Sequence, residues 1–388
     1  MSLRESLSVT ISVRGRFHAF DLARQLQQRG ALRRLITTYP KFKVREWDIP
    51  DDRTSSFAGM EILNRLLYRA PISPSLCNLL GARLSADYDR RAAKLIPEDT
   101  RLFVGWSSEC IESLRIAKAL GARTVVERGS CHIRFQDQIL GAEYERLGLP
   151  WPGIHSAVIH RSEQEYEEAD FVSVPSGFVR DTFAQYGVSP EKILVVPYGC
   201  DLSIFRPGPK LDRKFRVIHC GQISIQKGVH LLIRAFAELR LPDAELWLIG
   251  GLTPEIASIL KQYPDSPISV KGPFPQSSLP QYYSQGSVFC MASLQEGLAM
   301  VIPQALSCGL PVIATANSGA AELVEEGRTG FVIPAGNVDA LKEKLLLFYE
   351  NPQLTADLAI NLRTTTKVDL SWARYGDQIV KAYEAIVQ

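Results

Sequence analysis

The chain has 388 residues, of which 46% are hydrophobic and 22% are charged, and its formal net charge is +2. These values are typical of a globular protein and argue against disordered and fibrous classes, while the length predicts two domains. No apolar run approaches the roughly 20 residues of a membrane-spanning helix, and the first residues lack the pattern of a signal peptide. The seven scattered cysteines form no CxxC pair, which predicts reduced thiols in a cytosolic protein and no metal site.

The charged residues are distributed unevenly along the chain. Residues 1–134 hold 23 Lys and Arg against 14 Asp and Glu, whereas residues 135–205 hold 4 against 11. A basic first half is consistent with a solvated basic face, which is the simpler interpretation. The alternative is contact with phosphates or with an anionic membrane surface.

Short β-branched runs alternate with segments of helical period through most of the chain. The predicted strands are 7–13, 101–106, 123–127, 171–175, 193–197, 215–220, 244–250, 287–292, 311–315 and 331–334. Segments 18–30 and 229–240 show the helical spacing between them most clearly. Near-continuous apolar strands separated by amphipathic helices predict parallel sheets covered on both faces, so each half is expected to be a doubly wound α/β unit.

Two segments interrupt this alternation. Residues 40–75 are rich in Pro, Ser and charge, and they are predicted to form a long irregular excursion from the first domain. Residues 198–214 combine Gly, Pro and charge immediately before a new strand, which predicts the boundary between the domains there.

The segment HCGQISIQKGVHLLIRAF (219–236) indicates a strand, a glycine turn, a loop and a helix. Gly221 allows a tight turn at the strand end. Lys227 lies near the start of the helix, where the helix dipole favours anions, so a lysine there suits a phosphate site that it completes with backbone amides. A solvated loop lysine is the alternative, since Lys-Gly before a helix is common.

The segment QEGLAMVIPQALSCGLPVIAT (295–315) follows the strand at 287–292, at the edge of the sheet where open α/β proteins bind ligands. The amides of residues 297–301 are predicted to begin a helix and to hold a diphosphate. Pro303 suits the first helical turn. Beside such an anion site, the carboxylate of Glu296 is better suited to sugar hydroxyls than to phosphate.

These motifs, followed by SGAAELVEEGRTGFVIP (318–334), resemble in their order the second domain of a GT-B glycosyltransferase, specifically retaining glycosyltransferase family 4 (glycosyl transferases group 1). Residues 175–207 resemble the interdomain segment of this family, and residues 369–386 resemble its C-terminal helix. The resemblance implies a GT-B α/β fold of two doubly wound Rossmann-like domains facing a central cleft. The implied limits are an acceptor-side domain at 1–205, a donor domain at 206–370, and a returning helix at 371–388.

The resemblance also implies a function. It is the transfer of a sugar from a nucleoside-diphosphate sugar to a hydroxyl acceptor, with retention and without metal or cofactor, in polysaccharide or glycolipid synthesis. The catalytic candidates are Glu296, Lys227 and His132. The donor-binding candidates are Gly15, Arg16, Gly221, Gln222, Lys227, Lys271, Gly272, Glu296, Gly297, Leu298, Ala299, Met300, Val301 and Gln304.

Two positions depart from the family pattern. Gln222 stands where an arginine is usual, and Gln304 stands where a ribose-binding glutamate is usual. Gln304 still accepts a hydrogen bond, whereas the lost arginine removes a charge-assisted phosphate contact. The nearby basic candidates to replace it are Arg14, Arg16 and Arg128. The alternative hypothesis is a catalytically weakened GT-B protein that binds sugar or a partner. An epimerase or phosphorylase fits these motifs less well.

The first half contains two further candidates. His132 follows a strand near the place of a family histidine, and it is either that residue displaced or an ordinary loop histidine. Residues 33–47 interleave basic and aromatic side chains. This pattern suits peripheral contact with the inner membrane face for a lipid-linked acceptor, or equally a solvated loop. No nucleic-acid partner is predicted, because the rest of the chain offers no support for one.

Overall fold

The computed structural model describes residues 7–67, 69–70, 73–364 and 369–387. The first half contains a seven-stranded parallel sheet in the order β3-β2-β1-β4-β5-β6-β7. Its strands are β1 Val9–Val13, β2 Leu32–Thr37, β3 Thr54–Ser56, β4 Leu102–Trp106, β5 Arg123–Glu127, β6 Phe171–Val174 and β7 Ile193–Val195.

The second half contains a six-stranded parallel sheet in the order β10-β9-β8-β11-β12-β13. Its strands are β8 Phe215–Cys220, β9 Ala244–Ile249, β10 Ile268–Gly272, β11 Val288–Met291, β12 Val312–Thr315 and β13 Gly330–Ile333. All ten strands predicted from apolar runs are present, and the prediction of two doubly wound Rossmann-like units is confirmed. Strand β2 was missed because Arg33 and Arg34 interrupt its apolar run.

Most helices connect successive parallel strands, and the last three follow β13. Those of the first half are α1 Ala19–Gln28, α2 Lys41–Val44, α3 Ala58–Leu67, α4 Pro74–Ala93, α5 Ile111–Ala119, α6 Ile133–Arg146, α7 Ser156–Glu168 and α8 Gly177–Gln185. Those that follow are α9 Val229–Leu239, α10 Pro254–Leu260, α11 Leu279–Tyr283, α12 Val301–Ser307, α13 Val338–Glu350, α14 Pro352–Thr364 and α15 Trp372–Val387. None of these described helices combines the length and the apolar character needed to cross a membrane.

Both faces of the first sheet are covered, as continuous apolar strands predict. Neighbouring residues of β4 show this directly: Val104 packs in a core with Leu22 of α1, whereas Phe103 packs in a separate core with Leu114 of α5. Because successive side chains of a strand point to opposite faces, a strand that is buried on both sides is mostly apolar. Strand β1 is an exception, because the buried polar residues Thr10 and Ser12 alternate with its valines and isoleucine.

Residues 40–75 are more regular than predicted. They contain α2, β3 and the whole of α3, so the expectation of an irregular excursion is wrong for much of this segment. Its prolines and serines begin elements instead of preventing them. Pro40 immediately precedes α2, and the hydroxyl of Ser73 accepts a hydrogen bond from the amide of Leu76 at the start of α4 (3.3 Å).

The aromatic residues between 33 and 47 lie in different environments. The rings of Tyr39 and Trp47 each pack edge-on against Phe20, with 5.5 Å between ring centroids. Both side chains are half-buried, and the predicted membrane contact of residues 33–47 stays a prediction. Phe42, in contrast, is 61% exposed.

Helix α15 returns to the first half. Arg29 of α1 donates a hydrogen bond to Asp377 (2.6 Å), and Tyr375 and Tyr383 are fully buried. Where the chain crosses back, the amide of Cys200 donates to the carbonyl of Leu370 (2.7 Å). The two crossings between the halves thus run side by side. The exact limits of the predicted domains stay a prediction.

Candidate active site

A cleft of about 1940 Å³ lies between the two halves. Each sheet reverses its strand order once, between β1 and β4 in the first half and between β8 and β11 in the second. The loops that leave these four strands contribute residues to the cleft wall, among them Arg14, Ser107, Gly221 and Glu296. Ligands of open α/β sheets bind at such switch points, so the topology itself marks this cleft as the candidate site.

The structure brings most of the predicted site residues together. Those that line the cleft are Gly15, Arg16, Gly221, Gln222, Lys227, Glu296, Leu298, Ala299, Met300, Val301 and Gln304. Four others lie outside its lining, and they are His132, Lys271, Gly272 and Gly297.

Lys227 and Glu296 form an ion pair in the second-half wall, with 19% and 17% of their side-chain surfaces exposed. Gly228 makes this position of Lys227 possible, because its φ is +62° and a Cβ there would lie 1.9 Å from the carbonyl oxygen of Ala292. Burial lowers the pKa of Lys227 to about 8, while the carboxylate in contact with it favours the charged form. The ion pair thus places a partly buried cation and a carboxylate side by side on the cleft wall.

The loop after Glu296 differs from its prediction. Helix α12 begins at Val301, so residues 297–300 form a turn before it. Within this turn the amide of Ala299 donates a hydrogen bond to the carbonyl of Ser318 (3.0 Å). Immediately before the turn, the amide of Glu296 donates a hydrogen bond to the carbonyl of Asn317 (2.8 Å). The amide of Ala299 is therefore used inside the protein, which corrects its predicted role toward a diphosphate.

Gly297 faces the first half instead of the cleft. Its carbonyl accepts a hydrogen bond from the hydroxyl of Ser176 (2.7 Å), and a Cβ on Gly297 would lie 2.1 Å from the carbonyl oxygen of Gly129. Beside it, Gln295 accepts a hydrogen bond from the hydroxyl of Ser130 (2.9 Å). The prediction that Gly297 lies against the donor is corrected, because its missing side chain permits close contact between the two halves.

The two glutamines have different surroundings. Gln304 is 3% exposed, and its side-chain oxygen accepts a hydrogen bond from the hydroxyl of Tyr283 (3.3 Å). Gln222 is exposed at the cleft. A glutamate at 304 would be a buried carboxylate, whereas burial of the neutral amide, which accepts the phenol hydrogen bond, costs less.

Of the three arginines that could compensate for Gln222, two are already engaged. Arg14 forms an ion pair with Glu109 (2.7 Å), and Arg128 donates to the side chain of Gln136 (2.7 Å). Arg16 is exposed and lies over the ring of Trp47, with 5.0 Å from its guanidinium carbon to the ring centroid. Arg16 is therefore the first-half arginine best placed to meet an anion in the cleft.

Lys271 and Gly272 lie away from the cleft lining. The ammonium of Lys271 lies 4.5 Å from the centroid of the Trp247 ring, and the carbonyl of Gly272 accepts a hydrogen bond from the amide of Gly250 (2.9 Å). Their position does not support the predicted contact with the donor. Gln276 and Ser277, in the following turn, line the cleft in their place.

Asp21 of α1 is a cleft residue that the sequence analysis missed. It lines the wall near His18 and Trp47, and burial raises its pKa to about 6, although nearby charges and a hydrogen bond from Trp47 oppose the rise. Its position in the first turn of α1, directly after the loop that follows β1, could have indicated this role from the sequence.

His132 lies outside the cleft, so its predicted catalytic place is wrong. Its ring nitrogen Nδ1 accepts a hydrogen bond from the amide of Arg134 at the start of α6 (3.3 Å), and its ring stacks on Tyr186 with 4.4 Å between centroids. Burial lowers the pKa of His132 to about 4. The residue caps a helix and packs against its neighbours. This structural role agrees with the second alternative from the sequence, an ordinary loop histidine.

We expect His132→Asn to leave transfer and donor binding unchanged, since asparagine keeps a capping oxygen. Lost ring packing should lower the free energy of unfolding at pH 7 by about 1 kcal/mol. Between about pH 6.5 and pH 4, the His132 imidazole is protonated in the unfolded chain but not in the folded protein, because its folded-state pKa is lowered. The wild type therefore loses stability as the pH falls through this window, and the variant, which lacks this imidazole, should lose less. Urea unfolding at several pH values measures this, and a large loss of turnover would contradict the assignment.

Solved structures show the same architecture. HepE from Anabaena, crystallised with UDP, superposes with a TM-score of 0.69 at 18% identity, covering 98% of this chain and 100% of that one. Sucrose-phosphate synthase from Thermosynechococcus elongatus gives a TM-score of 0.68 at 19% identity, covering 98% and 99%. With its two facing Rossmann-like units, the protein has the predicted GT-B fold.

The sequence comparisons agree with this fold. Residues 203–365 match the family model described as glycosyl transferases group 1. A GDP-mannose-dependent phosphatidylinositol monomannoside mannosyltransferase of Mycolicibacterium smegmatis is 28% identical over 55% of this chain and 62% of its own length. An MMP α-(1→4)-mannosyltransferase of Mycolicibacterium hassiacum is 25% identical over 71% and 74%. The matched segment thus covers less than two thirds of the length of the Mycolicibacterium smegmatis enzyme.

Proposed function

We propose that the protein transfers a sugar from a nucleoside-diphosphate sugar to an acceptor hydroxyl, with retention of configuration and without a metal. The observation that carries the proposal is the Lys227–Glu296 ion pair in a cleft where both sheets reverse their strand order. The names of the relatives support it, because they describe mannosyl and other glycosyl transferases. A transferase also needs two substrates to meet, and the cleft is lined from both halves.

The geometry assigns separate tasks to the wall residues. Lys227 would bind the diphosphate and stabilise the charge that develops as the sugar leaves, an electrostatic role that is strong in a partly buried site. Arg16 would add a second positive charge from the facing wall. Glu296, released from Lys227, would accept hydrogen bonds from sugar hydroxyls. The leaving phosphate itself is suited to take the proton of the attacking hydroxyl.

The competing hypothesis is a binding module without turnover. Gln222 and Gln304 motivate it, whereas the intact ion pair in the cleft favours a working transferase. The two differ in one measurement: incubation with UDP-, GDP-, ADP- and dTDP-sugars, followed by thermal shift and diphosphate release. Stabilisation with release on an acceptor supports transfer. Stabilisation without release on any acceptor supports the module, and no stabilisation by any donor refutes both nucleotide-sugar hypotheses.

We further propose that the acceptor is a saccharide or a lipid-linked one reached at the inner membrane face. Helix α3 supports a lipid surface: Glu61 and Asn64 line the cleft, whereas Ile62 and Leu66 are each 60% exposed. Residues 62–86 contain three arginines and no acidic residue, which suits an anionic surface. This face extends the predicted contact at 33–47, where Phe42 is exposed.

Sedimentation with vesicles that contain anionic lipid tests the membrane contact. The wild type should bind, and a double variant with Ile62→Asp and Leu66→Asp should bind at least roughly 100-fold less, because burial of each of the two side chains contributes about 1.5 kcal/mol or more. Ile360→Asp, at an apolar residue that is 54% exposed in α14, is the matched control. Equal binding of the double variant would refute the contact, while donor binding should be unaffected in all three.

A further inference from the structure

His18 lies on the first-half wall of the cleft, directly before α1, and is only 6% exposed. Two aromatic rings hold its imidazole, with centroid distances of 4.9 Å to Trp106 and 4.2 Å to Tyr198. A histidine packed this closely has a fixed ring orientation. Its two nitrogens therefore meet defined surroundings, and each can be considered separately.

The Nε2 atom faces a buried carboxylate. It lies 3.3 Å from Oε2 of Glu127, whose side chain is 1% exposed. The other carboxylate oxygen, Oε1, accepts a hydrogen bond from the hydroxyl of Tyr383 (3.3 Å). Because a carboxylate only accepts hydrogen bonds, it favours the proton of the neutral imidazole on Nε2. Nδ1 of His18 is then a hydrogen-bond acceptor.

The edge of the ring that carries Nδ1 lies beside Gly129, another residue of the cleft wall. A Cβ on Gly129 would stand 3.9 Å from Nδ1 of His18 and 3.2 Å from the hydroxyl of Tyr198, so the absence of a side chain at this position leaves space beside both groups. The Tyr198 hydroxyl is buried, and within the described residues it has no hydrogen-bond partner. An acceptor and a donor thus lie next to each other at one point of the wall.

A sugar hydroxyl both donates and accepts a hydrogen bond, so it matches this arrangement, whereas a phosphate oxygen only accepts. We propose that Nδ1 of His18 and the hydroxyl of Tyr198 bind one hydroxyl of the substrate in the cleft. Glu127 is a positioning residue that keeps Nδ1 free of its proton, and Tyr383 holds Glu127. This inference rests on the proposed transferase function, because it assigns a contact to the same substrates.

Tyr198→Phe is the sharpest variant, since it removes one oxygen that has no described partner in the protein. We expect unchanged thermal stability and kcat/KM lowered about 5- to 10-fold, the effect of one neutral hydrogen bond. His18→Gln should lower kcat/KM at least about 10-fold for the same reason. Full activity of both variants would overturn the proposal.

The control is a second histidine–glutamate pair outside the cleft. Nε2 of His230 lies 2.5 Å from Oε1 of Glu143, and neither residue lines the cleft. His230→Gln should therefore leave kcat/KM unchanged. An equal fall of kcat/KM in this variant and in His18→Gln would show a general effect of losing a buried histidine pair, and it would overturn the specific role of His18.

A readout independent of turnover concerns the tautomer. The chain has six histidines, so nitrogen-15 labelling of histidine and comparison with His18→Gln assign the His18 signals. We expect the proton on Nε2, a change to a mixed or reversed tautomer in Glu127→Gln, and a shifted Nδ1 signal when a bound nucleotide sugar is present. A proton on Nδ1 in the wild type would overturn the inference. Failure of every nucleotide sugar to bind would instead refute the proposed function, and the tautomer would still test the arrangement.

Discussion

Lys227→Ala is expected to weaken nucleotide-sugar binding roughly 100-fold, a loss of about 2.7 kcal/mol. Two effects add to this result. The variant loses the ammonium that meets the diphosphate, and it leaves the carboxylate of Glu296, now without its partner, beside an anionic ligand. Calorimetric titration with the donor identified by thermal shift measures the change. Added salt should weaken donor binding by the wild type more than donor binding by the variant, since only the wild type pairs an ammonium with the diphosphate.

Lys271→Ala is the matched control for this experiment. Lys271 was a donor-binding candidate from the sequence, yet its ammonium lies over Trp247 outside the cleft lining. The control should therefore bind the donor as the wild type does. If Lys227→Ala retained full affinity, the assignment of the phosphate site to this loop would be wrong. If Lys271→Ala lost affinity instead, the site would lie nearer to β10.

Gly297→Ala is expected to lower transfer about 100-fold while each half stays folded. The added Cβ would lie 2.1 Å from the carbonyl oxygen of Gly129, so the two halves cannot approach as they do in the wild type. The hydrogen bond from Ser176 to the carbonyl of Gly297 should be lost as well. Small-angle scattering should show a larger radius of gyration, and turnover measured in parallel should fall.

Gly251→Ala provides the comparison, because a Cβ there would meet no atom within 4 Å. It should change neither the scattering curve nor the turnover. A fully active Gly297→Ala protein would show that the reaction tolerates separation of the halves. A Gly297→Ala protein with lost turnover and an unchanged scattering curve would place the effect in the loop itself and contradict the role of this contact.

The strands were predictable because parallel sheets buried on both faces require continuous apolar runs. Phe103 and Val104 are adjacent in sequence and pack in separate cores, so both positions are apolar. Strand β2 escaped the same analysis because its two arginines mask the pattern. Local composition therefore identifies central strands well, and strands nearer the edge less well.

The candidate site was predictable where it depends on local chain geometry. Gly228 at φ +62° and Lys227 next to it follow from a loop that must turn before a helix. Contacts between distant segments were not predictable in this way. The neighbour of Gly297 is Gly129, 168 residues earlier in the chain, and nothing in either local sequence indicates the other. The exclusion of His132 from the cleft depends likewise on Tyr186, against which its ring stacks.

The paired crossings between the halves have a mechanical consequence. Cys200 and Ser371 form a parallel bridge, and a Cβ on Gly199 would lie 2.4 Å from the carbonyl oxygen of Ser371. A single flexible connection permits rotation about several axes, whereas two strands joined side by side resist torsion and shear between them. The two paired crossings thus form a narrow connection between the halves, and this connection bends more easily than it twists. Opening and closing of the cleft would therefore occur mainly by bending at this bridge.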